Sequence, residues 1–441
     1  MTKVITYGTY DLLHYGHLRL LRRAKELGDY LIVGVTSEDF DKSRGKINVQ
    51  QSLAERMEAV RATGLADEII VEEYEGQKID DIRRYHADIF TVGSDWAGKF
   101  DYLNEYCKVI YLDRTEGVSS SAIRTDRHKI SIGLVGSPER FIKFARECGF
   151  VNGVEVKGIY TADLSSTQEL FGQLPIITNH YAGLLDDVNA VYINSHPSEH
   201  YDYIKQALLA RKHILCELPL TLNTAQCQEL HELAKQQGCI LMGAVKTAYS
   251  TAYSRLLLLV KEGRIGQVVS VDATCTRLKK DHDAPGAWQS ICAWGPTALL
   301  PVFQILGGKY KDCQIISKIV NQSHDSFTKI NFTFDSAVAS IKVADGVKSE
   351  GELIVSGTGG YIFVPAPWWK TDYFEIRYED VKRNRRYFYQ LDGEGIRYEI
   401  AAFLKAIEGG MPSSNIPENV ITSISNVMES FFKPGFVRTI S

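Results

Sequence analysis

Two histidines three residues apart, His14 and His17, stand in the run Gly8-Thr9-Tyr10-Asp11-Leu12-Leu13-His14-Tyr15-Gly16-His17. At that spacing both imidazoles can face one ligand as hydrogen-bond donors. Gly8 and Gly16 let the backbone approach the ligand closely. Thr9, Tyr10 and Asp11 share the same turn. A helix that starts here offers free N–H groups and the positive end of its dipole, which suits a phosphate. Donors so placed stabilise charge that grows on a phosphoryl group during transfer, by about 2.7–4 kcal/mol each in measured cases. A histidine pair alone is more often an ordinary helix start. The strand before it, the helix after it and the glycine between favour the phosphate reading.

The elements that must position this turn follow from pattern. Lys3–Tyr7 is a short apolar strand, and His17–Leu27 has apolar residues at helical spacing. Tyr30–Val35 is a continuous apolar run, as in a parallel strand buried on both faces. Helices are expected over Glu55–Leu65 and Ile79–Arg84, and strands over Glu68–Val71, Ile89–Val92 and Val109–Leu112. The alternation implies an α/β fold with a doubly wound parallel sheet, whose ligands sit at the carboxyl ends of its strands.

The polar run Thr125–Lys129 closes this first domain, 1–128, and the alternation restarts at Ile130–Val135. Strands at Ala190–Asn194, His213–Cys216 and Ile240–Gly243, with helices at Pro197–Ala210 and Thr224–Gln237, indicate a Rossmann-like domain over 129–250. From 251 to 441, Val268–Thr276, Lys329–Phe334 and Ala337–Val343 carry many β-branched residues. They predict a third unit, an open and mostly antiparallel α+β sheet domain.

The bulk numbers exclude several classes. A net charge of −4 with no basic tract argues against a nucleic-acid partner. No window reaches the about 18 apolar residues of a membrane-spanning helix, and the N-terminus is not a secretory signal. A cytoplasmic protein is expected, and a homodimer. Eight cysteines without a CxxC pair read as reduced core residues, neither a disulfide framework nor a zinc site.

His14-Tyr15-Gly16-His17 resembles the HxGH motif of the nucleotidyltransferase superfamily. Arg114-Thr115-Glu116-Gly117-Val118-Ser119-Ser120-Ser121 is similar to the RTEGxS signature of its cytidylyltransferase branch. Between them, Gly93-Ser94-Asp95-Trp96-Ala97-Gly98-Lys99-Phe100 resembles the members that act on glycerol 3-phosphate. The resemblance covers about residues 1–125. It implies that His14 and His17 contact the phosphates of CTP, with Thr9, Tyr10, Asp11 and Gly16 lining the pocket. It also implies that Lys46, with Arg44 near it, binds phosphate. Asp95 and Arg114 would hold the nucleotide, and Ser119 and Ser120 the triphosphate. Lys78 would meet the phosphate of the acceptor alcohol, although a lysine taken alone is usually solvated. Mg²⁺ would arrive with CTP, with no metal cage of protein ligands. One position departs: Gly64 stands where that group carries an arginine. Glycerol 2-phosphate or another short polyol phosphate therefore stays open beside glycerol 3-phosphate.

Over 129–441 the run Ala190–His200 and the segment His213-Ile214-Leu215-Cys216-Glu217-Leu218-Pro219 resemble the glucose–fructose oxidoreductase and inositol dehydrogenase family. The resemblance implies a Rossmann domain followed by an open sheet. The family's chemistry is largely replaced. Gly136 is followed by Ser137-Pro138-Glu139-Arg140-Phe141 instead of further glycines, Leu218 replaces a lysine, and Ala293 and Thr297 replace an aspartate and a histidine. Glu217 and Lys246 are the candidates for a second site, with His196 beside them. The expectation is a non-catalytic module that takes no NAD(P). The alternative is a bifunctional enzyme whose second half reduces a precursor of the alcohol.

Overall fold

In the computed structural model the described residues are 1–43, 49, 51–74, 76–113, 129–278, 289–320, 324–389, 391–410 and 415–440, without the side chains of 39, 42, 43 and 95. They form two compact units, Met1–Lys129 and Ile130–Ser441.

The first unit runs β1 (Lys3–Gly8), α1 (Tyr15–Lys25), β2 (Tyr30–Thr36), α2 (Glu38–Ser43), α3 (Leu53–Ala62), β3 (Glu68–Glu72), α4 (Gln77–Tyr85), β4 (Ile89–Gly93) and β5 (Lys108–Leu112). The strands form one parallel sheet in the order β3-β2-β1-β4-β5. Alternate residues of its apolar strands feed two cores. Val4, Leu31 and Val33 pack with Leu21 and Val60 on one face, and Ile5, Ile32 and Phe90 pack with Ile82 on the other. The strand order reverses between β1 and β4. The carboxyl ends of those two strands, Gly8 and Gly93, therefore flank the crevice where such a sheet takes a ligand.

Helix α3 differs from the expected Glu55–Leu65 at both ends. Ser52 and Glu55 form a reciprocal capping box that starts it earlier. Gly64 stops it with φ +66°, a left-handed conformation that glycine adopts without strain. Helix α3 runs back from the carboxyl edge of the sheet, and β3 begins only four residues after Gly64. Gly64 thus closes a helix at the edge opposite the crevice.

The second unit holds both sheets expected of it. β6 (Ile130–Gly136), β7 (Val154–Tyr160), β8 (Ile176–Thr178), β9 (Ala190–Asn194), β10 (His213–Glu217) and β11 (Leu241–Ala244) form a parallel sheet, ordered β11-β10-β9-β6-β7-β8. A nine-stranded sheet follows. It contains β12 (Val268–Arg277), β13 (Asp312–Val320), β14 (His324–Thr333), β15 (Val338–Asp345), β16 (Leu353–Gly357), β17 (Gly360–Val364), β18 (Tyr373–Arg377), β19 (Arg385–Phe388) and β20 (Val437–Ile440). Its pairings are antiparallel except β12 with β15 and β13 with β20. The helix Glu418–Phe432 packs against both Thr224–Gln237 and Ser290–Leu306, and so ties the two sheets together. No helix among the described residues is long and apolar enough to cross a membrane.

Candidate functional site

At the carboxyl end of β1, His14 is the N-cap of α1. Its Nδ1 accepts the N–H of Gly16 at 3.0 Å. The N–H of His14 points in turn at Nδ1 of His17, 3.5 Å away, so the two residues close a capping box. The cap assigns the tautomers: an Nδ1 that accepts carries no proton, so each ring keeps its N–H on Nε2. The rings stack at 3.9 Å with an interplanar angle of 20°. Two parallel imidazole donors thus stand together at the start of a helix and beside the switch point of the sheet. Fixed donors and a helix dipole are the elements from which an anion site is built.

The loop that carries them is strained. Tyr10 and Leu12 hold φ of 53° and 47°, where side-chain-bearing residues are disfavoured. Gln51 pins the loop twice: its Oε1 accepts the N–H of Leu12 at 2.7 Å, and its own N–H donates to Asp11 Oδ1 at 3.0 Å. Thr9 donates its hydroxyl to Asp41 Oδ1 at 2.7 Å. Beneath them Arg56, fully buried on α3, donates through Nη1 to the carbonyls of Thr9 and Thr36, both at 2.8 Å. It also donates through Nε to the carbonyl of Gln51 at 3.1 Å. Its Nη1 lies 3.4 Å from the equally buried Asp41 carboxylate. One arginine therefore joins the loop after β1, the end of β2 and the start of α3.

Arg56, Asp41 and Gln51 were not among the residues expected at the site. A signal existed for Arg56: it sits four residues before buried Val60, on the apolar stripe of its helix. A charge there must either be paired or break the core.

The expected residues divide as follows. His14, Gly16 and His17 come together, with Thr9 and Asp11 beside them. Tyr10 does not line a surface. It is 2 % exposed, packs in the core and meets His17 edge-on at 5.5 Å, so it supports that ring from below. Lys78 is neither solvated nor remote: it is buried on α4, paired with Glu72 at the carboxyl end of β3, and lies 4.8 Å over the Tyr7 ring. Arg44, Lys46, Arg114, Ser119 and Ser120 lie outside the described residues, as does the side chain of Asp95. Its backbone, in the turn Ser94–Trp96, directly follows β4 on the far side of the crevice. Among the described residues no group of three or more His, Cys, Asp and Glu could hold a metal ion.

In the second unit the turn after β6 carries a proline where a glycine-rich turn would continue. Gly136 has φ +139°, and a Cβ there would meet the Asn194 carbonyl at 2.5 Å, so strand packing requires this glycine. Next comes the 3₁₀ turn Pro138–Arg140. The N–H groups of Arg140 and Phe141 are spent on Ser137 and Pro138 carbonyls, and proline has none to give. Two of the turn's amides are thus committed to its own carbonyls.

Leu218 is 3 % exposed, packed where a Cβ on Gly243 would touch it. Glu217 accepts a hydrogen bond from Tyr192 at 2.6 Å, and burial pushes its pKa up. Burial and the nearby Glu217 raise Glu399 much further. Both carboxyls therefore hold a proton more readily than a solvated carboxylate does. His196 is half-buried, which lowers its pKa, and its Nδ1 lies 2.8 Å from the Ser198 hydroxyl. Lys246 is bonded to Glu394 at 2.6 Å.

Comparison with known proteins agrees with this division. Residues 5–126 match the family model described as "Cytidylyltransferase-like", and residues 130–244 match "Oxidoreductase family, NAD-binding Rossmann fold". The chain is 50 % identical over 126 residues to a glycerol-3-phosphate cytidylyltransferase of Bacillus spizizenii, spanning 29 % of this chain and 97 % of that protein. To that of Staphylococcus aureus it is 47 % identical over 128 residues, spanning 29 % and 95 %. A 3-ketoreductase from Actinomadura kijaniata, solved with NADP and TDP-benzene, shares the fold of the second half. Its TM-score is 0.63 at 18 % identity, covering 71 % of this chain and 99 % of that one.

Proposed function

We propose, from the premise that this chain belongs through its first unit to the cytidylyltransferase family, that it transfers CMP from CTP to glycerol 3-phosphate. The single observation that carries the reading is the stacked, cap-fixed pair His14 and His17 at the switch point of a parallel sheet. An oxygen of the acceptor phosphate attacks the α-phosphorus of CTP in line. The bond from that phosphorus to the bridging oxygen breaks, and pyrophosphate leaves. The Nε2–H groups of His14 and His17 donate to the oxygens that gain charge, so the work is positioning and electrostatic stabilisation. Lys46 and Arg44 add positive charge, Asp95 and Arg114 hold the nucleotide, and Ser119 and Ser120 bind its triphosphate. Lys78, with Glu72 as its fixed counter-ion, faces the acceptor phosphate. Mg²⁺ reaches the site on the CTP.

The product would be CDP-glycerol, a donor for wall or capsule polymers, made in the cytoplasm by a homodimer of three-domain chains divided at 128 and 250. Pyrophosphate release with CTP, ATP, GTP and UTP is the test, using glycerol 3-phosphate, glycerol 2-phosphate, ribitol 5-phosphate and phosphocholine as acceptors. CTP with glycerol 3-phosphate is expected to give the highest kcat/KM. Equal release from ATP, or a preference for phosphocholine, would sink the assignment.

The second unit is a non-catalytic module in this reading. It lacks the lysine, aspartate and histidine of the related oxidoreductases, and its turn after β6 commits the amides of Arg140 and Phe141 to its own carbonyls. Each bond lost to a charged phosphate is worth about 1.5–3 kcal/mol. Two such losses weaken dinucleotide binding by roughly a hundredfold or more. Isothermal titration of the full chain with NADH and NADPH should show no binding at micromolar concentration. Micromolar affinity, or a nicotinamide retained through purification, would favour a bifunctional enzyme instead.

A further inference from the structure

Three lysines from three separate segments of the second unit converge on one carboxylate. Lys143 lies in the first turn of the helix that follows β6, Lys246 in the turn after β11, and Lys370 in the turn Trp368–Lys370. Their ammonium groups reach Glu394 at 2.8, 2.6 and 2.9 Å. Three ammonium groups face the one carboxylate of Glu394, and Lys246 also lies within electrostatic reach of Glu217 and Glu399. Its members are not sealed: the lysine side chains are 56 %, 28 % and 35 % exposed, and Glu394 is 33 % exposed.

The segment that brings Glu394 there is held in a conformation its sequence resists. Gly393, Glu394 and Gly395 have φ of 55°, 56° and 91° in succession. The left-handed region suits the two glycines and disfavours the glutamate between them. Its flanks are anchored. Arg397 pairs with the buried Glu147 at 3.0 Å, and the N–H of Asp392 points to the Tyr398 hydroxyl at 3.3 Å. Burial raises the pKa of Glu394, but the three ammonium hydrogen bonds outweigh it and hold the carboxyl far below its ordinary range. The location adds a further constraint. Lys143 and Lys246 both follow strands of the parallel sheet, at the carboxyl edge where this architecture receives anionic ligands. A carboxylate that supplies one charge and two oxygens is a poor match for three ammonium donors. A phosphate group supplies two charges and three free oxygens.

We propose that Lys143, Lys246 and Lys370 form a binding site for a small phosphate-bearing molecule, and that Glu394 is the internal anion that holds the site until the ligand displaces it. The strained turn stores part of the drive for that exchange, because release lets Glu394 leave the left-handed region. The inference does not depend on the cytidylyltransferase reading, since no part of it lies in the first unit.

The test is titration of the full chain with inorganic pyrophosphate and, in a separate arm, with glycerol 3-phosphate. Wild type, Glu394→Gln and Lys143→Gln/Lys370→Gln are compared, with cytidylyl transfer and the thermal transition of the second unit as controls. The first unit contributes equally to all three titrations, so differences report the second. Removing the competing charge should tighten binding roughly tenfold in Glu394→Gln, and the lysine pair variant should bind at least about tenfold more weakly. The arm that shows the larger response identifies a diphosphate or a phosphomonoester as the ligand type. Identical titrations for all three proteins would overturn the proposal, as would weaker binding by Glu394→Gln. If Glu394→Gln unfolds the second unit, the lysine pair variant decides alone.

Discussion

Replacing His14 or His17 by alanine should lower cytidylyl transfer roughly a hundredfold to a thousandfold, the range found when one preorganised donor to a transition-state oxyanion is removed. The rings stack 3.9 Å apart with Nδ1 of each engaged by the helix cap, which keeps the ring proton of each on Nε2. His14 has a second duty. It accepts the Gly16 N–H, and losing an N-cap acceptor costs about 1 kcal/mol of stability. The two duties separate by substitution. In His14→Asn the short amide oxygen can cap the helix but cannot reach as a donor where Nε2 stood. That variant should regain thermal stability and stay as slow as His14→Ala. The measurements are steady-state pyrophosphate release and the melting temperature of the first unit. Near-normal turnover in either alanine variant would remove the histidines from the reaction.

Arg56→Ala carries the largest expected cost in stability. The guanidinium is fully buried, and so is the Asp41 carboxylate it pairs with. Removing one partner of a buried pair leaves the other as an uncompensated charge, which costs about 3–5 kcal/mol. The carbonyls of Thr9 and Thr36 lose their donors in the same step. For a unit of this size the loss corresponds to a fall of roughly 10–20 °C in melting temperature. The second unit should melt as before. Arg56→Lys keeps the charge but not the fork of donors, so it should recover only part of the stability. Because Thr9 heads the loop that carries His14, the residual folded fraction should also show a raised KM for CTP. Differential scanning calorimetry, which follows the two units separately, checks this. An unchanged first transition in Arg56→Ala would show that the buried pair contributes nothing.

Much of this was legible in one dimension because the information is local. The spacing of His14 and His17 across a Gly-flanked turn depends on one strand end and one helix start, which neighbouring residues specify. Continuous apolar runs marked the buried strands of both parallel sheets, and β-branched strands marked the open sheet that follows. Helix ends were less legible. The capping box at Ser52 and the left-handed Gly64 each moved a boundary of α3. Tyr10 looked like a pocket residue because it lies inside the motif, but its positive φ turns the ring down into the core.

The sequence by itself determined the two fold types and pointed to phosphate chemistry at the first turn, because each rests on residue types at short spacing. Tertiary structure alone decided which charges are buried and with what. Arg56 meets Thr9 across 47 residues, Lys78 finds Glu72 on the neighbouring strand, and Glu394 gathers lysines from 24 to 251 residues away. Such pairings follow from how strands and helices are stacked, which fixes distances between residues that share no local pattern. Desolvation then decides their chemistry, since the same lysine is a solvated ornament at the surface and a committed ion partner beneath it.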